Sequence, residues 1–181
     1  MRGFTLVEFI TATTILALIF SIGLPNLADI HDKYQASTSV SQFRKVLAGA
    51  RSIALNKSQK VTVCPYINNQ CSNNWQNPIM VFLDLNQDLK LNTNESMLMS
   101  SSNENNHGKW IIRTPSTSSI IFNERGHAFG SATTFLYCPA SGENKHARQL
   151  IISFQGRIRS DYYLSNQGTP YASLGDFNCP S

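Results

Sequence analysis

Two arginines close to the end of the sequence offer the clearest binding chemistry. Arg157 and Arg159 stand on either side of Ile158. In an extended chain, alternate side chains point to the same face about 6.6 Å apart, so the two guanidinium groups would lie together while Ile158 faces the protein body. Planar guanidinium groups hold phosphates through paired hydrogen bonds. The segment therefore predicts a small phosphate clamp, and Gly156 before it allows an unusual backbone or the close approach of another backbone.

Positive charge is concentrated around this clamp. Residues 139–160 contain one acidic residue, Glu143, and four basic ones, which are Lys145, Arg148, Arg157 and Arg159. From residue 57 to the end, ten basic and eight acidic residues give a net charge of only +2, so the remainder of this region is nearly neutral. We predict that Lys145 and Arg148 support the clamp as additional charges. The arginines could instead line a solvated sheet edge or form salt bridges with a neighbouring subunit.

Catalytic chemistry has no comparable pattern in this sequence. The histidines are scattered, and their spacing supports no Ser-His-Asp or Cys-His set. There is also no glycine-rich cradle for a phosphate. We therefore predict that the protein is not an enzyme and uses no cofactor. The four histidines, each predicted to be a surface or turn residue, are His31, His107, His127 and His146.

A second polar motif resembles a calcium loop. Asp84 to Asp88 and Glu95 place oxygen ligands at the first, third, fifth and twelfth positions of such a loop. However, Leu89 stands where the loop needs glycine, and residues 79–83 read as a strand and not as a helix. We therefore predict a hairpin in which Asp and Asn side chains serve the turn, with no bound metal.

Four cysteines follow the apolar amino terminus and allow three pairings. Only six residues separate Cys64 from Cys71, which favours a local loop between them. Pairing of Cys138 with Cys179 would hold a chain end that otherwise frays. A zinc site is the rival interpretation, but neither pair is a C-x-x-C and no histidine has ligand spacing to them. We expect the disulfides Cys64–Cys71 and Cys138–Cys179.

One long helix must precede these groups. Phe4 to Leu24 is an apolar run of 21 residues, close to the roughly 20 that cross a bilayer as a helix. After Pro25, apolar residues recur at three- and four-residue steps, so we predict a helix kinked where proline removes a donor. Its membrane half covers 4–25, and its amphipathic half covers 26–57 and lies on a sheet. The apolar stripe of that half is Leu27, Ile30, Tyr34, Val40, Phe43, Leu47, Ala50 and Ala54.

Residues 58–181 are predicted to form one globular head. Runs of β-branched and aromatic residues alternate with Asn, Ser, Gly and Pro clusters, and connections of this length favour antiparallel pairing. The predicted fold class is α+β, with the long kinked helix packed on antiparallel β-sheets. The predicted strands are 60–64, 79–84, 96–100, 110–114, 119–122, 133–138 and 150–154, with a polar loop at 100–108.

The amino terminus resembles a type IV prepilin. A short basic leader, residues 1–3, ends at Gly3, and Glu8 lies inside the apolar run. That run is too long for a cleaved secretory signal, and a carboxylate at bilayer depth normally marks function. The resemblance implies cleavage after Gly3 by the prepilin peptidase and methylation of the new amino-terminal Phe4. It also implies that Glu8 meets the amino terminus of a neighbouring subunit during assembly.

The whole chain is similar to the FimT/GspH family of minor pilins and pseudopilins. Besides the prepilin opening, the resemblance rests on the stretch Phe122–Gly126, the hairpin Asp84–Asp88 and the motif Gly156–Arg159. Phe9 is a departure, because the family more often has an aliphatic residue after the glutamate. The resemblance implies a type IV pilin fold with a GspH-like head.

The resemblance also implies a function. FimT proteins of competent bacteria bind DNA during uptake through a Gly-Arg-x-Arg motif, which Gly156, Arg157 and Arg159 match residue by residue. We therefore expect a minor pilin that binds the phosphates of double-stranded DNA during natural transformation. Its head would lie in the periplasm, anchored in the inner membrane, before it joins other major and minor pilins in a surface pilus. The alternative is a structural pseudopilin that starts a pilus or type II secretion filament without binding DNA.

Overall fold

The computed structural model describes residues 5–101, 108–112, 118–130, 133–162 and 179. Within these residues, one helix, α1 (Leu6–Lys57), precedes ten strands and a short 3₁₀ helix, Asn144–His146. The strands are β1 (Val61–Ile67), β2 (Gln70–Cys71), β3 (Ile79–Phe82), β4 (Met97–Ser101), β5 (Gly108–Ile112), β6 (Ile120–Phe122), β7 (Ala128–Phe129), β8 (Thr133–Pro139), β9 (Arg148–Ile152) and β10 (Ile158–Tyr162). The predicted cleavage site at Gly3 and Phe4 lies outside the described residues, as does His107.

Helix α1 begins with a capping box. The Thr5 hydroxyl accepts the Glu8 N–H at 3.3 Å, and the Glu8 carboxylate accepts the Thr5 N–H at 3.0 Å, so each side chain satisfies a backbone donor of the other. The helix continues through Pro25 and ends where Ser58 adopts a left-handed conformation. The two predicted halves therefore form one helix of 52 residues. Among the described residues, we find no helical stretch with the length and apolarity of a membrane span.

Among the helix side chains that the structure describes, apolar burial against the head begins at Ala36. The prediction that the packed stripe begins at Leu27 is wrong, because Leu27, Ile30 and Tyr34 are 63%, 62% and 67% exposed. A helix of 52 residues is roughly 78 Å long, whereas a strand of seven residues covers only about 23 Å. The amino-terminal part therefore extends beyond the sheets. The buried side chains of the helix are Ala36, Ser39, Val40, Phe43, Leu47, Ala50 and Ala54.

The strands form two antiparallel sheets that share α1 as their cover. The first has the order β4-β3-β1-β6-β7, with β2 paired to β1, and the second has the order β10-β9-β8-β5. Helix α1 packs on β1 and β6 of the first sheet and on β8, β9 and β10 of the second. In the described strand order, β10 and β5 lie at the two ends of the second sheet.

An aromatic cluster fills the space between the helix and the sheets. The ring centroid of Phe43 in α1 lies 5.0 Å from those of Trp110 and Phe135 and 5.8 Å from that of Trp75. The contacts with Trp110 and Phe135 are edge-to-face, an arrangement that adds to the burial of apolar area. This cluster is the centre of the main core.

Both predicted disulfides are confirmed. Cys64 is bonded to Cys71, which joins β1 to β2, and Cys138 of β8 is bonded to Cys179. The Cys179 N–H also donates to the Asn144 side chain at 2.7 Å. The chain end is therefore attached to the second sheet and to the 3₁₀ helix.

All seven predicted strands overlap observed ones, but one boundary matters for the site. The predicted strand 150–154 is β9, which ends at Ile152, so Phe154 lies in a turn and not in a strand. The apolar side chain of Phe154 continued the strand pattern and hid the turn. Strands β2, β7 and β10 were missed, since β2 and β7 have only two residues each and β10 is largely polar.

Candidate functional site

The predicted clamp lies at the end of a β-hairpin. Residues 153–157 join β9 to β10, and we name them the clamp turn. The Ser153 carbonyl accepts the Gly156 N–H at 2.8 Å, and the Ser153 N–H donates to the Arg157 carbonyl at 2.9 Å. Gly156 has φ +74°, the left-handed conformation that three-residue hairpin loops require at this position. The Ser153 hydroxyl also accepts the Arg157 N–H at 3.1 Å, which fixes the base of the turn.

A second turn of the same design joins β6 to β7. In residues 123–127, which we name the helix turn, the Asn123 carbonyl accepts the Gly126 N–H at 2.8 Å. The Asn123 N–H donates to the His127 carbonyl at 2.9 Å, and Asn123 Oδ1 accepts the His127 N–H at 2.9 Å. Gly126 has φ +70°. The two turns correspond position by position, with His127 where the clamp turn has Arg157.

The two turns pack against each other through their glycines. A Cβ atom on Gly156 would lie 2.0 Å from the Gly126 carbonyl oxygen, far inside van der Waals contact. The Ala128 N–H donates to the Phe154 carbonyl at 3.0 Å, which connects the two sheets at this point. Gly156 is itself buried. It therefore shapes the clamp turn and brings the following arginines to the surface, while its own atoms face the helix turn.

Arg51 of α1 ties both turns to the helix. Its Nε donates to the Gly126 carbonyl at 2.9 Å, and its Nη2 donates to the Gln155 carbonyl at 3.4 Å. The sequence does not reveal the role of Arg51, because Arg51 is one of several basic residues beside the apolar stripe of the helix. No local pattern reveals acceptors that lie 75 and 104 residues further along the chain.

The two clamp arginines lie on the side of β10 that faces away from α1. Ile158 pairs with Ile152 and packs against the main core. Because successive residues of a strand point to opposite faces, Arg157 and Arg159 point away from that core. Arg157 is exposed and Arg159 is partly exposed. Ile158 therefore faces the core as predicted, while Arg159 belongs to β10 and Arg157 to the clamp turn before it.

Arg148 does not share this face. It lies at the start of β9 and pairs across the sheet with Tyr137. Alternation along β9 puts it on the same side as Leu150, which is the side that faces α1. Arg159, by contrast, stands opposite Ile151 in the register. The sheet therefore separates Arg148 from the clamp.

Lys145 is engaged in ion pairs away from the clamp turn. Its Nζ lies 2.5 Å from Asp29 Oδ1 and 2.7 Å from Glu143 Oε2. His146, predicted to be a surface or turn residue, is instead buried in the 3₁₀ helix and places its Nε2 2.8 Å from the same Asp29 oxygen. Hydrogen bonds from Lys145 and then from His146 lower the pKa of Asp29 to about 2, and the pairing raises the pKa of Lys145. This cluster, which we name the Asp29 tie, attaches α1 to the 3₁₀ helix.

The segment that resembles a calcium loop is a turn held by its own carboxylates. Asp84 is buried, and its oxygens accept the N–H groups of Asp88 at 3.1 Å and Leu89 at 3.2 Å. A Glu95 oxygen accepts the Leu85 N–H at 2.8 Å. Burial raises the pKa of Asp84. Oxygens of Asp84, Asp88 and Glu95 lie within 4.8 Å of one another, but those of Asp84 and Glu95 already accept backbone hydrogen bonds, as the predicted turn requires.

Comparison with known proteins identifies relatives of this fold. Residues 39–156 match the family described as type II transport protein GspH. The minor pilin FimU of Pseudomonas aeruginosa is 16% identical with a TM-score of 0.59, covering 73% of this chain and 92% of FimU. The minor pseudopilin EpsH of Vibrio cholerae is 12% identical with a TM-score of 0.51, covering 71% of this chain and 97% of EpsH. No curated protein sequence gives a significant match.

The two structural neighbours bear on the fold alone, because both identities are low. They confirm the predicted type IV pilin architecture, in which a helix packs on antiparallel sheets. The family match ends at Gly156. Arg157 and Arg159 therefore lie just beyond the matched segment, and the family match assigns them no role.

Proposed function

The chain belongs to the GspH family of pilin-like proteins, and from this premise we propose that it is a minor pilin that binds DNA through Arg157 and Arg159 during natural transformation. Membership and fold make it a minor pilin or pseudopilin. DNA binding is the further step. The observation that carries it is the exposed Arg157 on a hydrogen-bonded turn, followed by the partly exposed Arg159 in β10, the last strand in the described order of its sheet.

Contact with phosphates, and not with bases, is the chemistry that this surface favours. Arg157 lies in the turn of a short hairpin and Arg159 lies in the strand that follows it. Phosphate contacts position a protein on DNA without reading its sequence. Residues 153–160 contain two arginines and no acidic residue, and the next acidic residue along the chain is Asp161. Lys145 is neutralised by two carboxylates, and Arg148 lies on the other side of the sheet, so both contribute less than the clamp arginines.

The amino terminus supports a life cycle in the membrane and the pilus. We propose cleavage after Gly3 by the prepilin peptidase, methylation of Phe4, and anchoring of residues 4–25 in the inner membrane with the head in the periplasm. Glu8 would then pair with the amino terminus of a neighbouring pilin during assembly. Mass spectrometry of the mature protein should find methylated Phe4 at the amino terminus. An intact Met1, or cleavage beyond Leu24, would contradict this part of the proposal.

DNA binding can be tested on the full chain purified in detergent. Fluorescence anisotropy with two duplexes of unrelated sequence should give similar dissociation constants, between about 10⁻⁴ and 10⁻⁶ M. Replacing Arg157 and Arg159 together by Ala should weaken binding to both duplexes alike and reduce the salt slope by about 2, roughly one per lost phosphate contact. Lys109→Ala is the matched control, because it removes one exposed charge from β5, the opposite edge of the same sheet.

A structural minor pilin or pseudopilin without DNA binding is the second candidate. The likeness to EpsH, a minor pseudopilin, and the end of the family match at Gly156 favour it. The double Ala variant separates the two functions. If that variant remains folded, binds duplexes like the parent and supports normal transformation, the clamp has no role in DNA uptake and the structural function stands.

A further inference from the structure

Phe154 is an exposed aromatic residue directly beside the clamp. Its side chain is 56% exposed at the tip of the clamp turn. Among the head aromatics whose burial the structure describes, it alone is exposed, whereas the others are buried or partly buried. A three-residue hairpin loop needs its glycine at position 156, but nothing in its hydrogen bonds requires a phenyl ring at position 154. The ring is therefore available for an interaction outside the chain.

The backbone that carries this ring is held from three sides. The Phe154 carbonyl accepts the Ala128 N–H at 3.0 Å. The next carbonyl, that of Gln155, accepts a hydrogen bond from Arg51, and Gly156 is wedged against Gly126. An interaction made by a ring on a fixed backbone loses little conformational entropy, because only the side-chain rotamers remain to be ordered.

The charge around the ring indicates the kind of ligand. Arg157, three residues after Phe154, is exposed, and Arg159 follows on the same side of the edge strand. Proteins that bind single-stranded nucleic acid without sequence preference combine cationic contacts to the backbone with aromatic rings on which bases stack. In a duplex the base faces are already stacked on one another. An exposed ring therefore finds a free base face most readily on an unpaired base or at a duplex end.

We infer that Phe154 is a stacking platform for an unpaired nucleobase, so that Phe154, Arg157 and Arg159 bind single-stranded DNA more tightly than duplex. This inference rests on the proposed function, because the arginines hold the phosphates on either side of the stacked base. It assigns the ring a role that contact with duplex phosphates does not require. It also defines the substrate class of the surface as unpaired strands and opened duplex ends.

The test uses the full chain in detergent and three probes of equal length: a mixed-sequence single strand, the matching duplex, and a single strand with abasic sites. The parent should bind the single strand at least about fivefold more tightly than the other two probes. Phe154→Ala should remove that preference and leave affinity for the duplex and the abasic strand unchanged. Phe154→Trp should keep it or increase it, because stacking needs a π-face.

Phe154→Leu is the matched control, since it keeps apolar area but has no π-face. A Leu variant with the full single-strand preference would overturn the stacking role, and so would an Ala variant that weakens all three probes equally. Unchanged DNA binding by the Ala variant, together with weaker association of the protein with itself or with other pilins, would identify a subunit contact instead. Thermal melting confirms that each variant is folded.

Failure of this inference is distinguishable from failure of the proposed function. If the arginine double variant loses duplex binding while Phe154→Ala keeps the single-strand preference, only the stacking role is wrong. If the double variant binds every probe like the parent, the proposed DNA surface itself is wrong. In that case Phe154 has no phosphate contacts beside it, and this inference fails as well.

Discussion

The helix turn and the clamp turn share one backbone design but expose different side chains. Each closes with the same hydrogen bonds and has a left-handed glycine at the same position. The helix turn exposes Glu124 beside Arg125, so opposite charges stand next to each other, whereas the clamp turn exposes Phe154 and Arg157 without an acid. The hairpin design therefore fixes the shape of this surface, and the exposed residues alone distinguish a neutral turn from a candidate binding site.

The two turns also differ in what supports them. Gly126 lies close to the side chains of Arg51 and Leu55 on α1. Gly156 rests on the backbone of the helix turn itself. The clamp turn is therefore held by its contact with the helix turn and by the hydrogen bond from Arg51 to Gln155. We expect damage to the helix turn or to Arg51 to reach the clamp arginines, although neither change touches them.

The largest expected effect is on the free energy of unfolding and tests the contact between the two turns. Gly156→Ala should lower the free energy of unfolding by at least about 3 kcal/mol, because left-handed strain of about 1 kcal/mol or more is added to a clash with the Gly126 carbonyl. Gly142→Ala is the control for strain, since Gly142 has the same φ of +74° and is partly exposed. Urea unfolding followed by the fluorescence of the buried Trp75 and Trp110 measures both. Equal losses would mean that the close contact between the turns adds nothing.

The next effect tests the link between the turns and the helix. Arg51→Ala should cost about 2 kcal/mol in the free energy of unfolding, in the range for hydrogen bonds made by charged donors. It should also weaken DNA binding, since the clamp turn loses its hydrogen bond at Gln155. Arg51→Lys should recover only part of both, because an ammonium lacks the planar fork. Arg44→Ala is the control, because it removes an exposed charge from the same helix and should change neither stability nor DNA binding. Equal effects from Arg44→Ala and Arg51→Ala would mean that Arg51 acts only through its positive charge and not through its hydrogen bonds.

A smaller effect concerns the Asp29 tie, which is ionic where the turns are held by backbone contacts. The folded pKa of Asp29, about 2, lies below its ordinary value of 3.8. Its stabilisation is therefore fully present above about pH 4 and is lost as the pH falls toward 2. Asp29→Asn should remove part of the acid sensitivity in that window, measured by urea midpoints at several pH values. The Asp29 side chain is 44% exposed, so the change in the urea midpoint should be modest. If Asp29→Asn leaves the dependence of stability on pH unchanged, Asp29 does not cause this loss of stability in acid.

The smallest effect concerns charge on the helix turn. Glu124→Gln leaves Arg125 without its acidic neighbour and should raise DNA affinity roughly twofold at low salt, with the gain disappearing at high salt as charges are screened. The backbone hydrogen bonds of the turn do not involve the Glu124 side chain, so stability should not change. A gain that persists at high salt would mean that the effect is not electrostatic.

Local patterns in the sequence were sufficient to predict much of the fold of this protein. The apolar period predicted one long helix, the spacing of Cys64 and Cys71 predicted their disulfide, and alternation around Ile158 predicted which side chain faces the core. These features depend on the period of one element or on residues close in the chain. The resemblance of the amino terminus to prepilins added the family, which the match over residues 39–156 shows.

Only the tertiary structure decided which of the predicted basic residues come together. Lys145 and Arg148 are close to the clamp in sequence, yet one is paired with carboxylates and the other lies on the opposite side of the sheet. Arg51, which is 104 residues from its acceptor in the clamp turn, is part of the support. The physical reason is that these contacts form only when both sheets pack against α1. The periodicity of a single segment does not show which distant residues will meet.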